Sequence, residues 1–439
     1  MRKLLFISID AYRKDNLEKK YNGIPCSPFL TKIMHEGLFY NNYIASCNWT
    51  IPSYASMFTG EPTISHNYWS FKQYPQKPEV LVFDRLSKKG IRSSLICTGG
   101  SLDKKIFKYN TKNYFLIQYD NQDIDKTIES VLMRLKKGNF VFLHTYIQHN
   151  YIFHHEYTTN KYDIKRDYKF ISREQSYTLS KKIRRWLDTN HSFSLTEHDV
   201  KNLEKMYYNE CLLVDSFLEI LFDIVFGLFP DLQVIINADH GECFGQCRKK
   251  LRNQQTGHLS KNTMFGHGSG LCYEQFEVFA IEYGVSINGG QINDTLMDHQ
   301  DIHDIILRKF DTKYYRPQSK RWWQIFSPNR QVDTVTEDMR DVGHPENNDG
   351  DKTYNIISTG YDRVGLCGVL KEGTFHICDM TKDFEFLYKD NLYTDDVSPP
   401  KKDDIENYRR ILRSHARQID SSESADEEVM SKLKGLGYV

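Results

Sequence analysis

Leu4-Leu5-Phe6-Ile7-Ser8-Ile9-Asp10 and Val234-Ile235-Ile236-Asn237-Ala238-Asp239-His240-Gly241-Glu242 share one design, a short apolar run that ends in acid. Such runs, bounded by polar residues, read as strands buried on both faces, the form strands take in a parallel sheet. Ile91–Cys97 (IRSSLIC) and Phe140–His144 (FVFLH) have the same character, and Glu277–Glu282 (EVFAIE) adds a further strand. Helical patterns lie between them: VLVFDRLSKK, stopped by Gly90, and a long stretch around 203–226. Strands alternating with helices predict an α/β fold, a large mostly parallel sheet with helices on both faces.

Outward from this core the patterning changes. Residues 155–200 are polar, rich in Tyr and Lys and without clear period, and read as an insertion on the substrate side. The stretch 313–352, rich in Pro, Asn, Asp, Arg and Lys, reads as a linker or exposed excursion after a catalytic domain over 1–312. Beyond it, strands at Tyr354–Ser358 and Thr374–Cys378 and a helix at Asp404–Arg417 predict a smaller α+β domain over 353–439, with a mobile acidic segment at 420–428.

Composition removes several classes of function. The 439 residues carry 58 basic and 58 acidic side chains, and no basic stripe is interleaved with aromatics, so a nucleic-acid partner is not expected. Nine scattered cysteines without a CxxC pair argue for reduced thiols. Leu4–Ile9 is too short for the apolar part of a signal peptide, and Asp215, Glu219 and Asp223 interrupt the apolar stretch Leu212–Phe229. The expectation is a cytoplasmic chain without an integral membrane segment.

The polar ends of the apolar runs carry the chemistry. In an open parallel sheet, ligands gather at the carboxyl ends of the strands. The first run delivers Asp10 there, the VIIN run delivers Asp239 and His240, and FVFLH is followed five residues later by His149. Carboxylate oxygens with imidazole nitrogens suit a divalent cation. Each residue alone also has a plain structural explanation as a turn or cap. Thr50, in WTIPSYASMFTG, reads as a helix N-cap with Pro52 in the first turn, so the positive end of the helix lies beside its hydroxyl. His267, between Gly266 and Gly268, leaves an imidazole free on a close-approaching backbone.

Taken in order, these segments resemble the alkaline-phosphatase/sulfatase superfamily, in its sulfatase-like branch. ISIDAYRKDNL is similar to the first-strand motif of that branch. CNWTIPSYASMFTGEPTISHN resembles the nucleophile motif, with Pro52 two residues after Thr50 and Thr59-Gly60 nine and ten after it. FVFLHTYIQHNYI, VIINADHGE, FGHGSGLCYEQFEVFAIE and the ending EEVMSKLKGLGYV resemble further motifs in the same sequence order. The resemblance implies a metal held by Asp10, Thr50, Asp239 and His240, with Ca, Mn, Mg or Zn all admissible. It also implies that His149 and His267 line the pocket for the oxyanion or a second ion.

Family sulfatases oxidise a Cys or Ser to formylglycine. Thr50 carries a methyl on Cβ, so its oxidation would give a ketone, and Cys47 lies five residues before Pro52 instead of two. The sequence therefore points to the threonine hydroxyl itself as nucleophile, activated by a cation, and to phosphate or phosphonate esters ahead of sulfate esters. A small-molecule, glycan or lipid ester is the expected substrate. Transfer of a phosphoryl-linked group onto a glycan or lipid acceptor would use the same chemistry. A binding protein that kept the fold and lost turnover is the third expectation. It is motivated by Tyr54, where relatives have Arg or His, and by Ala11, where they have a second Asp.

Overall fold

The computed structural model describes residues 2–66, 68, 80–99, 114–118, 123–152, 160–188, 195–244, 266–268, 273–285, 287 and 289–310, with the backbone of five strands between 355 and 398. An eight-stranded sheet organises the first part of the chain. Its strands are β1 (Leu4–Ile9), β2 (Leu38–Tyr40), β3 (Ser93–Cys97), β4 (Tyr114–Gln118), β5 (Phe140–Thr145), β6 (Gln233–Ala238), β7 (Ala280–Gly284) and β8 (Gln291–Asn293). They lie in the order β8-β2-β7-β6-β1-β5-β3-β4. All neighbours pair in parallel except β7, which runs against both β6 and β2.

The helices are α1 (Pro28–Glu36), α2 (Thr50–Thr59), α3 (Val82–Ser87), α4 (Ile124–Lys137), α5 (Arg173–Asp188), α6 (Glu197–Leu228) and α7 (His299–Lys309). They form two layers: α2, α3 and α7 pack together, and α1, α4 and α5 each pack on α6. Every residue of β1 and β5 is buried because both faces are covered. Beneath α2 the sheet contributes Phe142, whose ring meets Tyr54 at 5.3 Å and Phe58 at 5.0 Å and is backed by Phe6 at 5.2 Å. A buried Phe of this kind contributes roughly 1.5–3 kcal/mol by burial. On the far side Phe29 of α1 meets Phe222 of α6. There the Asp215 carboxylate accepts the Phe29 and Leu30 N–H groups at 2.8 Å each, satisfying the first turn of α1.

The register aligns the central strands for function. Ser8 on β1 stands level with His144 on β5 and Asn237 on β6. Side chains alternate along a strand, so Asp10 and Asp239, two residues further, rise on the same face.

Several expectations are revised. The strand read at Glu277–Glu282 is Ala280–Gly284, and it is the one antiparallel member of the sheet. The stretch 155–200, read as unpatterned, carries the 16-residue helix α5. Its inner face is narrow, with Leu179, Ile183 and Trp186 buried alongside Ser176 and Ser180, so polar residues dominate its sequence. The preceding segment is held to α6 by an Arg166–Glu210 ion pair and by Asn209, which accepts the Phe170 N–H and donates to the Ile171 carbonyl. In the last part of the chain, Asn355–Ser358, Leu366–Lys371, Thr374–Asp379, Glu385–Asn391 and Val397–Ser398 form an antiparallel sheet in sequence order. The linker at 313–352, the helix at 404–417 and the acidic segment at 420–428 lie outside the described residues.

Candidate active site and metal centre

Thr50 is the first residue of α2 and not its cap; the cap is Trp49, in extended conformation and without a side-chain capping bond. The Thr50 hydroxyl instead reaches two groups delivered by strands. It lies 3.3 Å from Asp10 Oδ2 and 3.3 Å from His240 Nε2. At its other end α2 stops at Gly60, in the left-handed region at φ 71°. A Cβ there would also lie 3.0 Å from the His303 ring, so glycine is needed on two counts.

His240 has a defined tautomer. Its Nδ1 stands 2.8 Å from the Gly241 carbonyl oxygen, which can only accept, so the proton sits on Nδ1 and Nε2 presents a lone pair. Burial, reinforced by the charge of His267, drives its pKa well down and keeps the ring neutral. That bare Nε2 is 3.7 Å from Asp10 Oδ1 and 3.7 Å from Asp239 Oδ2. Both carboxylate oxygens are buried and accept no hydrogen bond. Buried lone pairs gathered this closely are a donor set that suits a divalent cation. These residues therefore fit a divalent metal. Asp239 Oδ1 is held from behind by the N–H groups of Ala11, at 3.1 Å, and His240, at 2.9 Å.

His144, which sequence reading passed over in favour of His149, belongs to this cluster. Its Nε2 lies 3.0 Å from Asp10 Oδ2, and Asp10, His144 and Asp239 each bring one donor atom within 4.8 Å of the others. Strand parity was the available signal, since His144 stands level with Ser8, two residues before Asp10. Burial drops the His144 imidazole to about 4. Burial also lifts the Asp10 carboxyl to about 7, against the opposing His267 charge and Thr50 hydrogen bond. Asp239 is pushed well up by burial and by the neighbouring Asp10.

His149 and His267 form a second arm. Their ring centroids are 5.1 Å apart, and His267 lies 4.3 Å from the His240 ring. His149 stacks on Tyr146 at 4.2 Å, with the Tyr146 hydroxyl 3.3 Å from its Nε2. Burial keeps His149 neutral, pushing its pKa well below the usual imidazole value. His267 goes the other way. Burial opposes its charge, but Glu242, with Oε2 3.0 Å from His267 Nδ1, outweighs it and raises the pKa. Glu242 also accepts from the Tyr151 hydroxyl at 3.0 Å and the Cys243 N–H at 3.1 Å. Sequence reading named neither Glu242 nor its tyrosine as site residues.

Tyr54, which stands where relatives have Arg or His, is fully buried beneath the site. Its ring stacks on Phe58 and meets the edge of His144 at 5.4 Å. Gly241 is fixed by close approach, since a Cβ there would fall 2.0 Å from the Glu274 carbonyl oxygen.

Comparisons with known proteins bear on the family and the fold. The sulfatase family model matches residues 2–275. A search of curated protein sequences finds no match. Among solved structures, the chain is similar to a protein of the alkaline phosphatase superfamily from Vibrio parahaemolyticus, at 14% identity and TM-score 0.56, over 100% of this chain and 88% of that one. It is similar to phosphonate monoester hydrolase of Agrobacterium radiobacter, at 11% identity and TM-score 0.59, over 99% and 96% of the two chains. It is also similar to the lipoteichoic acid synthase LtaP from Listeria monocytogenes, at 10% identity and TM-score 0.51, over 94% and 91%. At these identities the structures speak for the fold alone. The family model, however, spans more than half of the chain, strand-end acids and helix α2 included, and on that match the chain belongs to the sulfatase family, within the alkaline-phosphatase/sulfatase superfamily.

Proposed function

We propose that the protein is a metal-dependent esterase for phosphate, phosphonate or sulfate esters, with the Thr50 hydroxyl as nucleophile. The observation that carries this reading is the position of Thr50 Oγ1, 3.3 Å from both Asp10 Oδ2 and His240 Nε2 at the head of α2. Asp10, Asp239, His240 and Thr50, with His144 as a further candidate, would hold a divalent cation, which when bound lowers the pKa of a coordinated hydroxyl and offsets charge on the ester.

The chain's own groups supply the rest. Asp10 Oδ2 is placed to take the Thr50 proton. The Thr50 oxygen then attacks the phosphorus or sulfur, the bond to the leaving alcohol breaks, and the group rests on Thr50. Water attacks the same centre and returns the threonine hydroxyl. The leaving oxygen needs a proton or a cation, and His267, held charged by Glu242, stands beside His240 to provide it. Threonine cannot become an aldehyde, which favours phosphorus esters over the formylglycine route to sulfates.

Transfer to an acceptor alcohol is the second reading, because a lipoteichoic acid synthase shares the fold. The test is a panel of aryl phosphates, phosphodiesters, phosphonates and sulfates with Mg, Ca, Mn or Zn, with and without an acceptor alcohol, for wild type beside Thr50→Ala. Turnover of at least one phosphorus ester is expected, falling by about three orders of magnitude in Thr50→Ala. Product formed only with acceptor present would favour transfer. Equal rates in the two proteins would remove Thr50 from the chemistry, and no turnover of any ester would favour a binding protein.

A further inference from the structure

Ala11 follows Asp10 with its backbone in the left-handed region, at φ 54°. Among the described residues the other non-glycine positions with positive φ are Asn22 and Asp163, types that tolerate it. An alanine does not. It loses of the order of 1–2 kcal/mol there, and such a conformer persists only where its surroundings over-determine it.

One hydroxyl gathers the chain around this turn. Tyr207, on α6, donates from its hydroxyl to the Ala11 carbonyl oxygen at 2.9 Å. The Tyr207 hydroxyl oxygen in turn accepts the Arg13 N–H at 2.9 Å and the Asn16 Nδ2–H at 3.1 Å. A phenol offers one donor and two acceptor lone pairs, and all three are used. The hydroxyl is buried and fixed by its ring, which meets Tyr151 at 5.5 Å and Phe244 at 5.0 Å. Three bonds from residues 11, 13 and 16 thus converge on one atom and define the path of the chain as it leaves Asp10.

The turn adjoins the site. Its Ala11 N–H donates to Asp239 Oδ1 at 3.1 Å, while Oδ2 of that carboxylate lies 3.7 Å from His240 Nε2. We infer that Tyr207 is a positioning residue for the cation site: by clamping Ala11 in its left-handed conformation it sets the mutual placement of the Asp10 and Asp239 carboxylates. The inference rests on the reading of these carboxylates as metal ligands.

Two measurements test it. The first is calorimetric titration of chelator-treated protein with whichever of Mg2+, Ca2+, Mn2+ or Zn2+ wild type binds tightest. Tyr207→Phe keeps the ring and its packing and removes the hydroxyl. Its affinity is expected to fall about tenfold, as for outer partners of metal ligands. Adding Ala11→Gly removes the penalty on positive φ, so Tyr207→Phe/Ala11→Gly is expected to recover to within about threefold of wild type. A general loss of packing would not be rescued by a glycine. Unchanged affinity in Tyr207→Phe, or no recovery in the double variant, overturns the inference.

The second is a crystal structure of Tyr207→Phe prepared without added metal. Ala11 is expected to leave positive φ and to lose its bond to Asp239. Retention of both overturns the clamp. If wild type binds none of the four ions, the metal reading itself fails, and the crystallographic comparison still decides whether Tyr207 sets the turn.

Discussion

The two arms of the site balance charge in opposite ways. The strand-end arm, Asp10, Asp239, His240 and Thr50, sets two buried carboxylates against a neutral imidazole and leaves Asp10 Oδ1 and Asp239 Oδ2 without hydrogen bonds. The loop arm, His149 and His267, is complete by itself, because Glu242 supplies the anion for His267 and is in turn held by Tyr151 and Cys243. One arm calls for a cation from outside; the other carries its own. Close-packed acids that each keep one oxygen unpartnered are costly to keep folded, so their retention points to a ligand, whereas an internally paired ion speaks for orientation.

Removing an acid from the first arm tests the contrast most severely. Asp239→Asn is expected to weaken divalent-ion affinity by roughly 100-fold or more, beyond the effect of losing an outer partner. It should also raise the melting temperature of chelator-treated protein at pH 8 by a few degrees, since burial and the neighbouring Asp10 both oppose the Asp239 charge. Calorimetry and thermal unfolding read the two effects. An unchanged affinity, or a fall in the metal-free melting temperature, would erase the distinction between the arms.

Glu242→Gln probes the second arm. With the anion gone, His267 loses the partner that holds it charged, and kcat/KM is expected to drop about 10–100-fold. Ion affinity should stay within about threefold, because Glu242 belongs to the arm that is already neutralised. An equal loss in both quantities would merge the two arms into one.

A smaller effect follows from pH. The Asp10 carboxyl rises from 3.8 in the open chain to about 7 in the fold, chiefly through burial. Between those values the folded protein holds a proton that the unfolded chain has released, so the Asp10 contribution to metal-free stability is fully present below about pH 4 and is lost as pH climbs through 7. A cation competes with that proton. The stabilisation given by a saturating ion should therefore grow from pH 5 to pH 8, as thermal shifts with and without the ion would show. A gain that shrinks with pH would mean that the ion binds elsewhere.

The contrast also marks what a sequence can reveal. Asp10, Asp239 and His240 were legible because they follow apolar runs of strand length, and strand ends are where a parallel sheet collects its ligands. His144 was not singled out, although it lies within such a run, since only the register with Ser8 shows which face it occupies. The strands Leu38–Tyr40, Tyr114–Gln118 and Gln291–Asn293 are short or at the sheet edges and lack the long apolar signature. Helix α5 was hidden by its polar face. Tyr207 was beyond reach for another reason: its partners, Ala11, Arg13 and Asn16, lie some 190 residues away in the chain.

Tyr54 gives the smallest expected effect and sharpens the boundary of both arms. In sequence it stands four residues after Thr50, where a charged or hydrogen-bonding group would face the ester. In the fold its ring has no exposed surface, lies nearly parallel to Phe58 at 5.8 Å and meets Phe142 at 5.3 Å and His144 at 5.4 Å. Its contribution is apolar packing beneath the strand ends, and phenylalanine preserves that packing. Tyr54→Phe should keep kcat, KM and ion affinity within about threefold of wild type, while Tyr54→Ala should cost about 3–5 kcal/mol of stability through the cavity it leaves. A loss of kcat in the phenylalanine variant as large as that in Glu242→Gln would bring the hydroxyl into the chemistry and extend the site below the plane that Asp10 and Asp239 define.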